Sequence, residues 1–308
     1  MEEYPRTLLE FESRFASDEA CREYLCKLRW PDGFRCPRCG HAKGWALARG
    51  LYECAHCGRQ SSVTAGTIFQ DSRTPLRLWF RAMWQVTNQK HGVSALGLQR
   101  ALGLGSYETA WAWLHKLRRA MVRPGRDRLQ GAVEADEIYI GGERPGKRGR
   151  GAAGKALVLV AAERDGGGTG RIRLRRVPDA SANSLCGALQ EAVEPGAVVY
   201  TDGWEGYRPL ARRGYVHEPL RDDGDVGTHP LPRVHRVAAL LQRWILGTHQ
   251  GAIRASHLDY YLDEFTFRFN RRTSRSRGKL FYRLAQQAVA AGPVPHSELR
   301  GGSPDQPE

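Results

Sequence analysis

Val133-Glu134-Ala135-Asp136-Glu137-Ile138-Tyr139-Ile140-Gly141-Gly142 places three acids inside a stretch that otherwise alternates like a β-strand. Alternation puts Glu134 and Asp136 on one face, and the glycine pair closes the strand. A carboxylate in a buried strand loses its hydration, and a bound metal ion is the usual compensation. Asp202 has the same character. It follows the apolar strand Ala197-Val198-Val199-Tyr200-Thr201 and precedes Gly203, at a strand end of the kind where α/β proteins bind ligands. Taken singly, each Asp is a cap or a turn former. On adjacent strands the pair becomes a Mg2+ or Mn2+ site.

The surrounding stretches point to such a fold. Ala156 to Ala162 is a continuous apolar run, a buried strand. Asp165-Gly166-Gly167-Gly168 is a hairpin turn, and Arg171 to Val177 alternates as a third strand. Ala180 to Val193 is an amphipathic helix, Trp204 to Arg213 a second helix, and Tyr215 to Leu220 a fifth strand. Residues 221–233 form a polar, proline-bearing loop, and helices follow near 234–248 and 256–270. The order β-β-β-α-β-α-β-α is that of an α/β, RNase H-like domain, expected over residues 131–290. Residues 291–308 are rich in Pro, Gly and acids, which predicts a disordered tail.

Upstream, Cys36-Pro37-Arg38-Cys39-Gly40 and Cys54-Ala55-His56-Cys57-Gly58 are two matched C-x2-C pairs with fourteen residues between them. That spacing presents four thiolates to one tetrahedral Zn2+, so residues 31–70 are expected to form a zinc ribbon. A site closed by four thiolates has no open position, so this zinc is structural. Residues 1–30 are predicted to be a helical lead-in, with Ser17 and Asp18 as caps. Residues 71–125 have the rhythm of a helix-turn-helix. Ser94 and Ser106 cap its two helices, Gly103-Leu104-Gly105 makes the turn, and the second helix carries His115, Lys116, Arg118 and Arg119. An ordinary helical hairpin has the same pattern. Downstream of a ribbon in a basic chain, the DNA-contacting reading is preferred.

The chain of 308 residues has a net charge of +14, which attracts a polyanion and makes double-stranded DNA the expected partner. Arg268 to Lys279 holds six basic residues and no acid, and Arg144 to Lys155 holds five. No stretch approaches the ~18 apolar residues of a membrane span. Four of seven cysteines are assigned to metal and the others, Cys21, Cys26 and Cys186, are expected as free thiols in helices, which fits the cytoplasm.

A third ligand for the two carboxylates should come from a following helix. Val234 to Gln250 contains no acid; it offers His235 and, two turns later on the same face, Gln242. The next helix offers Asp259, Asp263 and Glu264. Imidazole ligates Mn2+ better than Mg2+. Phe265, Phe267 and Phe269 spread around a helix and are expected in the core rather than as a stacking platform.

These residues resemble the bacterial insertion-sequence transposases that carry an N-terminal zinc ribbon and a DDE-type, RNase H-like catalytic core. The resemblance rests on the two cysteine pairs through Gly66-Thr-Ile-Phe69, on Glu134 to Gly142, and on Thr201-Asp-Gly-Trp-Glu-Gly-Tyr207. It extends through Gly247-Thr-His-Gln-Gly251 and Tyr261 to Arg272. It implies that Asp136 and Asp202 are the first and second catalytic carboxylates. The family's third position, usually acidic or Asn, falls on His235, and its Lys seven residues later is Gln242 here. Glu264 is the competing ligand, with a structural or DNA-positioning role preferred; Arg268, Arg271 and Arg272 are implied DNA contacts. The resemblance implies a transposase that binds terminal inverted repeats, cuts at the element ends and joins the freed 3′-hydroxyl to target DNA, working as a dimer or larger assembly. The rivals are a catalytically decayed copy, a nuclease on the same scaffold, and a non-catalytic DNA-binding regulator.

Overall fold

The computed structural model describes residues 3–123, 125–141, 155–220, 230–251 and 253–301. They form two compact units, one of residues 3–123 with 273–301, the other of residues 125–272. The basic run Arg144 to Lys155 and the loop 221–233 lie largely outside the described residues.

The first unit opens with α1 (Leu8–Arg14) and α2 (Asp18–Arg29). Ser17 caps α2 by accepting the Ala20 N–H. The ribbon follows as a three-stranded antiparallel sheet of β1 (Gly44–Ala46), β2 (Leu51–Cys54) and β3 (Gln60–Ser62). Beyond it come α3 (Leu76–Asn88), α4 (Ala95–Leu102) and α5 (Tyr107–Ala120). Ser94 and Ser106 cap α4 and α5 as expected, and Gly103, at φ 65°, ends α4 in the left-handed conformation that favours glycine.

The second unit is built on a five-stranded sheet: β4 (Ala132–Ile140), β5 (Ala156–Asp165), β6 (Gly168–Val177), then α6 (Ala182–Ala192), β7 (Val198–Thr201), the 3-10 segment Glu205–Arg213 and β8 (Val216–Pro219). The strand order is β6-β5-β4-β7-β8, with β4 parallel to β7 and antiparallel to β5. Two helices follow, α7 (Pro232–His249) and α8 (Leu258–Phe269). This is the expected RNase H-like order. Two apolar clusters sandwich the sheet. Val133 and Ala135 pack with α6 and Tyr207, whereas Ile140, Val158 and Val160 pack with Val234, Val237 and Leu241 of α7 and with Leu262 of α8. Phe267 and Phe269 are buried, as expected of core residues.

Two boundaries differ from expectation. The core ends near Arg272 rather than residue 290, because α9 (Arg277–Ala290) belongs to the first unit. There Phe281 is fully buried among the rings of Phe11, Phe15, Tyr24, Phe80 and Trp84. The tail is not wholly irregular. His296–Gly301 forms α10, with Leu299 buried and Glu298 bonded to Arg119 of α5 at 2.6 Å. Pro- and Gly-rich composition conceals that anchoring leucine. Among the described residues, no helix is long and apolar enough to cross a membrane.

Candidate functional site

The four ribbon thiols converge. Cys36 Sγ lies 3.7 Å from Cys57 Sγ, Cys39 Sγ lies 3.6 Å from Cys54 Sγ, and all four sulfurs fall within 4.8 Å of one another. Tetrahedral zinc with Zn–S near 2.3 Å requires S···S of about 3.8 Å, so the set fits Zn2+. The two knuckles are alike. Gly40 N–H donates to Cys36 O at 2.9 Å and Gly58 N–H to Cys54 O at 3.0 Å, each glycine at a positive φ of 73° and 63°. The Cys39 and Arg38 N–H groups lower the Cys36 thiol from its usual value, which favours the thiolate a metal needs.

The second cluster lies where β4 and β7 run side by side. Their register pairs Glu134 with Tyr200. Continued two residues further, that register would set Asp136 abreast of Asp202, just past the end of β7. Alternation assigns both to the face covered by α7, because Ile138 and Tyr200 pack there. His235, in the first turn of α7, sets its Nε2 3.5 Å from Asp136 Oδ2. The other Asp136 oxygen accepts the Glu137 N–H at 2.8 Å, and Asp202 Oδ1 accepts the Trp204 N–H at 2.9 Å. Carboxylate and imidazole donors suit Mn2+ and, less well, Mg2+. Among the described residues, the thiols are the one group of three or more such side chains whose donor atoms all converge; Asp136 and His235 meet as a pair.

Glu134 shares the face of Asp136 but is wholly buried. It accepts from Arg164 at 3.2 Å and Arg233 at 2.9 Å, and from the N–H groups of Arg233 and Val234. Glu137, on the opposite face, accepts the Tyr207 hydroxyl at 2.8 Å. Burial, reinforced by Glu137, holds the Tyr207 hydroxyl well above its usual pKa. Arg233 and Tyr207 did not emerge from the sequence. The available signals were a basic residue in the first turn of a helix lacking a capping side chain, and a tyrosine five residues after Asp202.

Glu264 is buried in α8 and accepts from Arg268, one turn on, at 3.3 Å. α8 packs against β6, whereas α7 packs against β4 and β5. Gln242 is exposed on α7.

Several expected DNA contacts are engaged elsewhere. Arg118 is buried, as is His115, so neither lies on an outer face of α5. Arg119 pairs with Glu298, and burial lowers the Lys116 ammonium from its usual value. Arg268 pairs with Glu264; Arg271 lies over the Phe267 ring and donates to Phe267 O. Arg272 lies over Phe269 and donates to the carbonyls of Thr169 and Gly170. The expected arginines of these helices therefore brace the fold. Helix periodicity shows which face a basic residue takes, but not whether an acid or carbonyl waits there.

A zinc ribbon, and an RNase H-like sheet with Asp136 inside β4 and Asp202 just past the end of the neighbouring β7, are the features of a DDE-type core. Residues 128–270 match the ISXO2-like transposase domain and residues 16–60 match the transposase zinc-ribbon domain. The chain is 30% identical over 291 residues to an uncharacterized protein in transposable element ISH50 of Halobacterium salinarum, covering 86% of this chain and 94% of that protein. The chain belongs to the ISXO2-like transposase family, with an N-terminal zinc ribbon and a DDE domain. That relative is archaeal, so the restriction to bacterial elements implied by the sequence resemblance is not supported.

Proposed function

We propose that this protein binds the ends of its own element, cuts one strand at each end, and joins the freed 3′-hydroxyl to target DNA. Asp136, Asp202 and His235 are the catalytic residues of this reading. The observation that carries it is the approach of His235 Nε2 to Asp136 Oδ2 on the face where β7 delivers Asp202. A divalent ion held by these three side chains would supply the charge that activates a water or 3′-hydroxyl and stabilises the leaving oxygen. The chain's own part is to hold the donors on one side of the sheet and to bring DNA to them. Two ends must be gripped at once, so the working form is a dimer or larger assembly.

The test is a strand-transfer assay with labelled terminal DNA and Mn2+. Joined product that disappears in Asp202→Asn supports the reading. Cleavage without joining makes the protein a nuclease; end binding without cleavage makes it a decayed copy or a regulator. Gln242 favours the decayed reading, since a cation there would reach phosphate. Gln242 lies outward on α7, two turns from His235, so Gln242→Lys is expected to raise cleavage several-fold without altering zinc content.

DNA affinity should be steeply salt-dependent. With six or more phosphates neutralised, affinity falls about 10^3-fold or more between 50 and 200 mM salt, and Asp202→Asn leaves that slope unchanged. A flat titration overturns the electrostatic reading of the +14 charge.

A further inference from the structure

We propose that the two glutamates flanking Asp136 are positioning residues: Glu134 sets the helix that carries His235, and Glu137 sets the loop that carries Asp202. The inference rests on the catalytic assignment above.

The first turn of a helix leaves backbone N–H groups without intrahelical acceptors, and a side chain at the N-cap normally accepts from the second or third of them. The N-cap of α7 is Leu231, which has no acceptor, and Pro232 follows it. The acceptor comes instead from the sheet. Glu134 Oε2 takes the Arg233 N–H at 2.8 Å and the Val234 N–H at 3.2 Å. A carboxylate at this end of a helix also opposes the helix dipole favourably. Glu134 Oε1 takes Arg233 Nη1 at 2.9 Å and Arg164 Nε at 3.2 Å, so each oxygen meets two donors. Two guanidinium groups balance its charge, which is what a fully buried carboxylate requires. Arg233 reaches on to the carbonyls of Gly166 and Gly168, at 2.7 and 2.8 Å, and so ties the start of α7 to the β5–β6 hairpin. His235 lies one residue beyond Val234, and Asp136 two residues beyond Glu134 on the same strand face. One strand therefore fixes both partners of the 3.5 Å approach.

Glu137 acts on the opposite face. Its Oε2 receives the hydroxyl of Tyr207, a fully buried ring in the 3-10 segment five residues past Asp202. Trp204 secures the intervening loop, with its indole N–H on Ala180 O and its backbone N–H on Asp202 Oδ1, both at 2.9 Å. Hydrogen-bonded groups behind metal ligands typically change metal affinity about 10- to 100-fold when removed.

The test uses the full-length protein and Mn2+ alone, with binding read from Mn2+ paramagnetic resonance and the α7 backbone read from amide hydrogen exchange. Glu134→Gln is expected to weaken Mn2+ binding about 10-fold or more and to speed exchange over residues 233–238, with zinc content unchanged. Adding Glu134→Gln to His235→Ala should weaken binding little beyond His235→Ala alone, because Glu134 acts through that residue. Tyr207→Phe should stand in the same relation to Asp202→Asn. If the Gln variant does not fold, Glu134→Asp withdraws the carboxylate by one methylene and carries the same expectation. Unchanged Mn2+ affinity in folded Glu134 and Tyr207 variants, or fully additive losses, overturns the positioning roles while leaving the catalytic assignment intact. Mn2+ binding unaffected by His235→Ala and Asp202→Asn overturns both.

Discussion

His235→Ala is expected to abolish cleavage of terminal DNA in Mn2+ and to leave end binding at its original affinity. A metal ion's stabilisation of transition-state charge is worth several kcal/mol, and about 4 kcal/mol corresponds to ~10^3-fold in rate. The loss should be of at least that order, because in the proposed site the imidazole is one of three protein donors, and its removal leaves a gap beside Asp136. A nitrogen donor also favours Mn2+ over Mg2+, so the parent should cut faster in Mn2+, and His235→Glu should narrow that difference. Single-turnover cleavage under saturating metal measures both. The competing assignment is Glu264. It is buried and paired with Arg268 within α8, so Glu264→Gln should cost stability, about 3 kcal/mol, rather than chemistry. Cleavage lost in Glu264→Gln but retained in His235→Ala would transfer the third ligand to α8.

Cys36→Ser should release the zinc and unravel the ribbon while the second unit keeps its fold. Four thiolates on zinc supply on the order of 10 kcal/mol of apparent binding energy, far more than a three-stranded sheet of short strands generates by itself. In this ribbon β1 is exposed throughout, and in β2 and β3 only Cys54 and Ser61 are buried, so the three strands have little apolar burial to replace the metal. The sheet of the second unit has its own apolar clusters on both faces, and none of their residues comes from the ribbon. Metal analysis together with limited proteolysis checks the result. Protein purified under reducing conditions with no bound zinc, or a ribbon equally protected after chelation, would sink it. Specificity for the element ends should fall with the ribbon.

Much of this architecture was legible in the chain. Strand alternation from Val133 to Ile140, the apolar run from Ala156 and the hairpin glycines are local signals, and local signals survive in a one-dimensional reading. Serine caps at positions 17, 94 and 106 were legible for the same reason: donor and acceptor lie three residues apart. The extent of the core was not. α9 looks like any amphipathic helix, and only the aromatic cluster around Phe281 assigns it to the first unit. The partners of the basic residues of α5 and α8 were not legible either, because charge is local whereas its neutralisation is not. Arg119 finds Glu298, and Arg272 finds the carbonyls at the start of β6.

The sequence by itself placed the four clustered cysteines and the strands of the core, because each depends on residue type and spacing over fewer than two dozen positions; it only nominated Asp136 and Asp202, whose pairing spans a much longer stretch of chain. The tertiary structure alone decided the division of labour among Glu134, Asp136 and Glu137. Alternation places the first two on one face, but it cannot say which meets a helix N-terminus and which meets an imidazole. That depends on where α7 docks, about a hundred residues away in sequence: Val234, Val237 and Leu241 seat it on the sheet, and Glu134 accepts the N–H groups of Arg233 and Val234 that their own helix leaves without an acceptor.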